Sequence, residues 1–518
     1  MRTRTTLLCA IVILATACKR EELIPQDSPQ GEVLQVRADA LPMPQGAAMP
    51  QGEVDRLVIS RLRERDGFNW NMVDLRARWS ASQYNEQHVA IGYQPAFVDG
   101  IDEVIHEVNI RDAAWRAVHD ALIKRIVDGL NASAGPERTA PITWTDIVVE
   151  DDPKLPILVI RLTNAAVFTD LYNLKNVRYI EPLGYWPADD VEDRSTSGCS
   201  SGSSNVNAAD MSTVSPNARL PWNFNNHNIP AAWNTAQGQG ITIGVIDAGI
   251  SSAQPLIGSD FNNGDSNVGR TLSAGSTFGT SAYSSCTHGT SMSGLAAGPR
   301  NNAGATTGVG YKSNLRFIRG CEDVVLNLSS ELTGVKNALV QMGDDPAVRV
   351  VSMSIGTPFS SGVLTDGVNY AHGRGQMLMA AAGTSFSLLS WWGVVYPAAL
   401  SKCVAVTGVK ENGSKCGSCH DGSQVDLTIC MERNASSSRN SLSLPPSGTA
   451  PTYIGGSSAA TATAAGIAAV VWSVRPSATR EQVLQCLTST AQFANAPSGS
   501  KGYGNINAGA AVNCALAL

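Results

Sequence analysis

Two periods of hydrophobic residues divide the chain. In the first third, Trp115, Val118, Leu122, Ile126 and Leu130 recur every three or four residues within 111–130, the spacing that places them on one face of a helix. A buried strand at 157–162, a short helix at 165–173 and a strand at 177–180 complete a small α+β unit. Farther on, short apolar runs at 241–246, 315–318, 348–353, 377–382 and 403–409 alternate with helix-like segments at 329–340, 363–372 and 458–474. Strands that are apolar on both sides and separated by helices predict a parallel sheet covered on both faces. No internal repeat is present.

The ends and joins of these units follow from local composition. Arg2 and Arg4 precede an apolar run at 7–14, and the small residues Ala15, Thr16 and Ala17 come just before Cys18. Residues 1–18 thus read as an export signal, too short to span a bilayer. Small residues ahead of Cys18 also resemble a bacterial lipobox, which would make Cys18 a lipidated mature N-terminus and attach the chain to a membrane; ordinary cleavage after Ala17, or a cysteine there by chance, is the alternative. Residues 19–50, rich in Pro, Gln and Gly, are expected to be a flexible tether. The first domain then spans 51–186, an acidic and Ser/Gly-rich cleavable linker 187–219, and the second domain 220–518. Two domains suit a chain of 518 residues. A net charge of −6 without a basic stripe argues against nucleic acid as a partner.

Export to an oxidising compartment makes the cysteines candidate disulfides. Of 11, Cys9 and Cys18 belong to the signal, which leaves an odd number. Cys199, in a Ser/Gly-rich stretch, is expected to stay unpaired or to be lost on processing. The remaining eight allow Cys286–Cys321, Cys486–Cys514, Cys403–Cys430 and Cys416–Cys419, with other pairings of the last four left open. Cys416, Cys419 and His420 also have the spacing of zinc ligands but lack a matching second pair.

Three residues carry the candidate chemistry. Asp247 ends the run 241–246, at the carboxyl end of a predicted strand, where open α/β sheets build their sites. His288 opens a segment of small residues that allow a helix to pack closely, and Ser458 follows Gly455-Gly456-Ser457 at the start of an Ala-rich helix. Each has a plain structural reading, as turn former, buried histidine and helix N-cap. The functional reading of Ser458 is a nucleophile that glycines leave open to substrate, at a helix end favouring oxyanion charge.

Taken together, Asp247-Ala248-Gly249-Ile250, His288-Gly289-Thr290 and Gly456-Ser457-Ser458-Ala459-Ala460 resemble, in this order, the subtilase family of serine proteases. The resemblance runs from about residue 220 to the C-terminus and includes Gly308-Val309-Gly310-Tyr311, Ser352-Met353-Ser354-Ile355-Gly356 and Tyr396-Pro397-Ala398. It implies a subtilisin-like α/β fold and an Asp247, His288, Ser458 triad that cleaves protein or peptide substrates without a cofactor in the chemistry. Ser354, Ile355, Gly356, Ala381 and Gly383 would line the substrate site, and their small size suggests an open pocket. Residues 162–164 and 176–182 resemble the end of a subtilase propeptide of the ferredoxin-like type, which would act as inhibitor and chaperone and be removed by self-cleavage in the linker; an unrelated small α+β domain is the alternative. Thr384 stands where the family has its Asn oxyanion donor, Ala462 where it has Pro, and Thr463 where His is common. Thr384 is the expected surrogate donor. Structural calcium is common in the family, and residues 260–267 have the oxygen-rich composition of such a loop, or of a plain turn. Beside an active protease, a catalytically dead binding module and a peptide ligase remain as readings. The expected location is the bacterial cell envelope or the secreted fraction.

Overall fold

The computed structural model describes residues 33–518 apart from 65–66, 85, 136–137, 189–198, 200–201, 203 and 385–392. The signal with Cys18 therefore lies outside the described residues. The N-terminal unit runs β1 (His88–Tyr93), α1 (Ala113–Ala132), β2 (Val148–Asp151), β3 (Ile157–Arg161), α2 (Ala165–Tyr172) and β4 (Val177–Pro182). Its strands lie in the order β2-β3-β1-β4, all antiparallel, a βαββαβ arrangement. The buried residues of α1 are Trp115, Val118, Leu122, Ile126 and Leu130, the stripe that the periodicity marks.

The expected tether needs correction. Val36 pairs with Leu174, the Arg37 N–H donates to the Asn173 carbonyl at 2.7 Å, and the Arg37 guanidinium donates to the Val177 carbonyl at 2.7 Å. Residues 33–41 contain no proline, so every N–H in this stretch is free to donate. The composition of 19–50, dominated by the prolines around it, hides this.

The second unit is built on a nine-stranded sheet. After the hairpin β5 (Met211–Val214) and β6 (Ala218–Pro221) come β7 (Thr242–Asp247), β8 (Leu272–Ser276), β9 (Asn314–Arg319), β10 (Val348–Met353), β11 (Met377–Ala381), β12 (Cys403–Lys410), β13 (Leu427–Arg433), β14 (Ser436–Ser443) and β15 (Thr452–Ile454). The order is β15-β14-β13-β12-β11-β10-β7-β9-β8, parallel from β13 to β8, with β14 and β15 added antiparallel at one edge. Alternate side chains serve two cores, as the strand period of two requires. Val245, Val350 and Met379 face the helices α3 (His288–Ala297) and α6 (Gly456–Ser473); Ile246, Val351 and Ala380 face α4 (Ser329–Asp344) and α5 (Gly362–Gly373). Close packing needs small residues here: a Cβ on Gly466 of α6 would lie 2.9 Å from the Ala296 carbonyl of α3.

The end of the expected linker belongs to this unit. Asp210 is fully buried and accepts from Arg433 Nε at 2.8 Å, Arg439 Nη2 at 2.6 Å and Tyr453 Oη at 2.6 Å. Its partners lie more than 200 residues downstream, so the local composition of 187–219 could not show that this acid is buried. Residues 189–198, 200–201 and 203 of that segment lie outside the described residues.

The N-terminal unit covers the α4/α5 face. Apolar residues of both units form one continuous core there, and two carboxylates meet the two helix ends: Glu86 accepts from the Ser329 N–H at 3.1 Å, and Glu181 from the Gly362 N–H at 2.6 Å. Such N–H groups have no intrahelical partner and favour negative charge. Arg178 forks onto Asp366 at 2.8 and 2.5 Å, and the buried Lys336 bonds Glu150 and Asp152. Burial pushes the Glu181 carboxyl up to about 8, although the Gly362 N–H and Arg78 oppose it. A carboxyl raised on docking binds more protons docked than free, so its contribution is full below the ordinary carboxylate range and is lost as pH rises toward 8. We therefore expect the isolated 51–186 unit to bind the second unit more weakly at pH 8.5 than at pH 5.5 by calorimetry, and Glu181→Gln to flatten that dependence.

Candidate active site

Asp247 is the last residue of β7 and fully buried. Its Oδ1 accepts from the Ala248 N–H at 2.8 Å, and the His288 ring faces the same carboxylate, with Nδ1 2.9 Å from Oδ1 and 3.1 Å from Oδ2. His288 begins α3, and two glycines let that helix start against the strand end. A Cβ on Gly289 would lie 2.6 Å from the Gly249 carbonyl, and Gly249 itself has φ +150° with a Cβ position 2.4 Å from Ser284. Burial alone would lower the His288 pKa; the charge and hydrogen bond of Asp247 outweigh it and hold the imidazole above its usual range.

Ser458 lies in the first turn of α6. Gly456 before it has φ +75°, a left-handed turn suited to glycine, and a Cβ there would meet the Thr384 hydroxyl at 2.8 Å. The cap residue Gly455 offers no side chain, so the N–H groups of this helix end stay available to an anion. Ser458 is half-buried; its hydroxyl donates to the Ser354 carbonyl at 3.4 Å, and the Ser354 hydroxyl donates to the Ser458 carbonyl at 2.9 Å. No hydrogen bond joins Ser458 to His288 among the described residues.

Ser354, Ile355, Gly356, Ala381, Gly383 and Thr384 line one cavity of about 50 Å³ beside Ser458. It is narrow. Val324, Val325 and Val395 wall it, and the Val395 methyl and Tyr396 carbonyl would lie within 2.8 Å of a Cβ on Gly356. The small residues are there to admit those neighbours, which lie too far along the chain for a local reading to see.

Thr384 also has a partner that its sequence position does not reveal. The Ser457 hydroxyl, buried, accepts from the Gly383 N–H at 3.2 Å and lies 3.0 Å from the Thr384 hydroxyl. Were Thr384 the donor of that contact, the Ser457 proton would be buried with no acceptor among the described residues, a costly arrangement. Ser457 therefore donates to Thr384, and the Thr384 proton is left to the cavity.

The cysteines differ from expectation in two places. Cys286 pairs with Cys199 (Cα–Cα 4.6 Å), not with Cys321, so the segment read as expendable is bonded two residues ahead of His288. Cys321 is a free, buried thiol, its pKa pushed up by burial and by the charges of Glu331, Asp247 and Asp323. Cys403 and Cys430 are likewise free and buried. They cannot meet: Cys430 lies opposite Val409 in the parallel β12–β13 pair, while Cys403 begins β12, a separation of roughly 20 Å along the strand. Cys416–Cys419 and Cys486–Cys514 are disulfides, which leaves the former pair without thiolates for zinc.

In residues 260–267, the loop of oxygen-rich composition, several side chains bond to the protein itself. The Asn262 side chain bonds the Arg270 main chain, Asn263 Oδ1 accepts from the Asn302 N–H at 3.0 Å, and Asp265 pairs with Arg300 at 3.3 Å, so these three side chains are engaged by protein. No group of three or more His, Cys, Asp or Glu side chains that could hold a metal ion gathers among the described residues.

The sequence model of the Subtilase family, Peptidase S8, matches residues 238–504, more than half of the chain, and the chain belongs to that family. Thermitase of Thermoactinomyces vulgaris is 29% identical over 204 residues, covering 38% of this chain and 65% of thermitase. An extracellular protease of Xanthomonas campestris pv. campestris is 30% identical over 317 residues, 56% of this chain and 54% of that protein. The chain thus spans less than two thirds of the length of these two relatives. The structure of fervidolysin from Fervidobacterium pennivorans superimposes with a TM-score of 0.54 at 17% identity, covering 82% of this chain and 60% of that one, a likeness of fold.

Non-reducing peptide mapping is expected to recover Cys199 linked to Cys286. Iodoacetamide should label Cys321, Cys403 and Cys430 only after denaturation; recovery of a Cys286–Cys321 peptide would contradict the structure.

Proposed function

We propose that this chain is an exported serine endopeptidase, made as a precursor whose 51–186 unit inhibits it, and that Asp247, His288 and Ser458 are its catalytic residues. The observation that carries the reading is the buried Asp247–His288 pair at the carboxyl end of a central parallel strand, with a serine at the N-terminus of α6, the helix that packs against the one His288 begins. Asp247 fixes Nδ1 as the protonated nitrogen, which leaves Nε2 as the base. Ser458 then attacks the scissile carbonyl as its proton passes to His288, which returns it to the leaving amine; water releases the acyl-enzyme by the same route. The oxyanion meets the N–H groups at the start of α6 and the free proton of Thr384. Catalytic hydrogen bonds tighten when substrate fills a site, so a Ser458 hydroxyl turned to the Ser354 carbonyl is compatible with this role.

Support for the precursor comes from the interface already described. The 51–186 unit packs on α4 and α5, and its last residues Tyr185 and Trp186 gather with Phe359 close to the walls of the Ser458 cavity. Cleavage in the following linker would then be intramolecular, its rate independent of enzyme concentration. The extracellular character of the Xanthomonas relative and the export signal support secretion.

A fluorophosphonate is expected to label the wild-type enzyme but not Ser458→Ala, and Ser458→Ala to accumulate as uncleaved precursor; an unlabelled wild-type enzyme would leave a binding module. Thr384→Val should lower kcat about 10- to 100-fold with little change in KM. Because the His288 pKa is raised, the protonated, inactive imidazole persists above its usual range. Activity is accordingly expected to fall on acidification with a midpoint above about 6.5, and Asp247→Asn to move that limb to lower pH.

A further inference from the structure

We propose that His420, presented by the Cys416–Cys419 disulfide loop, is a positioning residue that fixes the Gly383–Thr384 turn for the oxyanion. The inference rests on the reading of Thr384 as oxyanion donor.

The contacts come from both backbone and ring. The His420 N–H donates to the Gly383 carbonyl at 2.9 Å, and Cys419 pairs with Thr384 across an antiparallel bridge. The imidazole Nδ1 lies 2.9 Å from the Gly393 carbonyl, so one residue holds the chain on both sides of the segment between Gly383 and Gly393. The ring also occupies the space that a side chain at 383 would need: a Cβ on Gly383, whose φ is +126°, would lie 2.3 Å from Nδ1. His420 is held in turn. Its carbonyl accepts from the Thr407 hydroxyl of β12, and the Cys416–Cys419 bridge, both residues buried, closes the turn that leads into it.

The chemistry of the ring points the same way. A carbonyl can only accept, so Nδ1 carries the hydrogen and Nε2 a lone pair. That Nε2 is buried without a partner among the described residues. A residue present only to fill space would be better apolar, since an orphan polar atom opposes folding. What the imidazole adds is a donor at one fixed point, and burial keeps it neutral by pushing its pKa down to about 4. Oxyanion donors must sit within a few tenths of an ångström of their place, and a displacement of about 1 Å can cost on the order of 10²-fold in rate.

The experiment measures kcat and KM on a peptide p-nitroanilide, with thermal midpoints, for enzyme processed from the full chain. His420→Leu keeps apolar bulk but removes the donor; it should lower kcat about 10- to 100-fold with KM within about twofold. His420→Asn, with an amide N–H near the Nδ1 position, should recover most of that loss. In the double variant with Thr384→Val, the rate should be no lower than that of Thr384→Val alone. If His420→Leu is as fast as wild type while Thr384→Val is slow, or if the two losses multiply, the positioning role is wrong and the donor role of Thr384 stands. Equal losses in His420→Leu and His420→Asn, tracking a lowered thermal midpoint, would also overturn it. If Thr384→Val itself is silent, the donor reading falls and takes this inference with it. Should His420→Leu fail to fold, Cys416→Ala/Cys419→Ala loosens the same turn and is read by the same kcat and double-variant criteria.

Discussion

A carboxylate with no solvent exposure has to be satisfied by fixed neighbours, and Asp247 sets that demand at the centre of this fold. The Ala248 N–H and the His288 ring meet it, but only because α3 begins directly against the end of β7. That closeness depends on Gly249 and Gly289, where any side chain would collide with backbone. It also depends on β7 lying inside a parallel sheet with neighbours on both sides, which fixes where the strand ends. The strand order turns outward from β7, and the crevice this leaves is where side chains from different strands can converge.

The two faces of the sheet then take different work. The α3/α6 face holds the histidine and the serine, and small residues bring its two helices into near backbone contact. The α4/α5 face receives the N-terminal unit, whose Glu86 and Glu181 stand at the helix starts. One piece of physics recurs on both sides: unpaired N–H groups at a helix start need an oxygen acceptor, a resident carboxyl group on one face and the oxyanion proposed for the other.

Much of this was legible in the sequence because it is local. The stripe of α1, the strands β7, β9, β10, β11 and β12, and the three blocks around Asp247, His288 and Ser458 can each be read from a window of a few residues. What escaped depends on partners distant in the chain. The exclusion of Cys403–Cys430 follows from the register of two strands; the burial of Asp210 follows from Arg433 and Arg439; the narrowness of the cavity follows from Val395. Thr384 shows the same limit at the scale of one proton, since the direction of its hydroxyl is decided by Ser457, 73 positions later.

The Cys199–Cys286 bond turns residues 199–286 into a macrocycle, with Asp247 inside it and the whole N-terminal unit outside. A chain cut at any point within a macrocycle stays one molecule. Hydrolysis after Cys199, even at an exposed bond, would leave the N-terminal unit covalently sewn to the start of the His288 helix, unable to diffuse away. Only a cut between Trp186 and Cys199 parts the two units outright, so the bridge shrinks the stretch in which a single cleavage is also a release, and makes it irrelevant how many further nicks fall between Cys199 and Cys286.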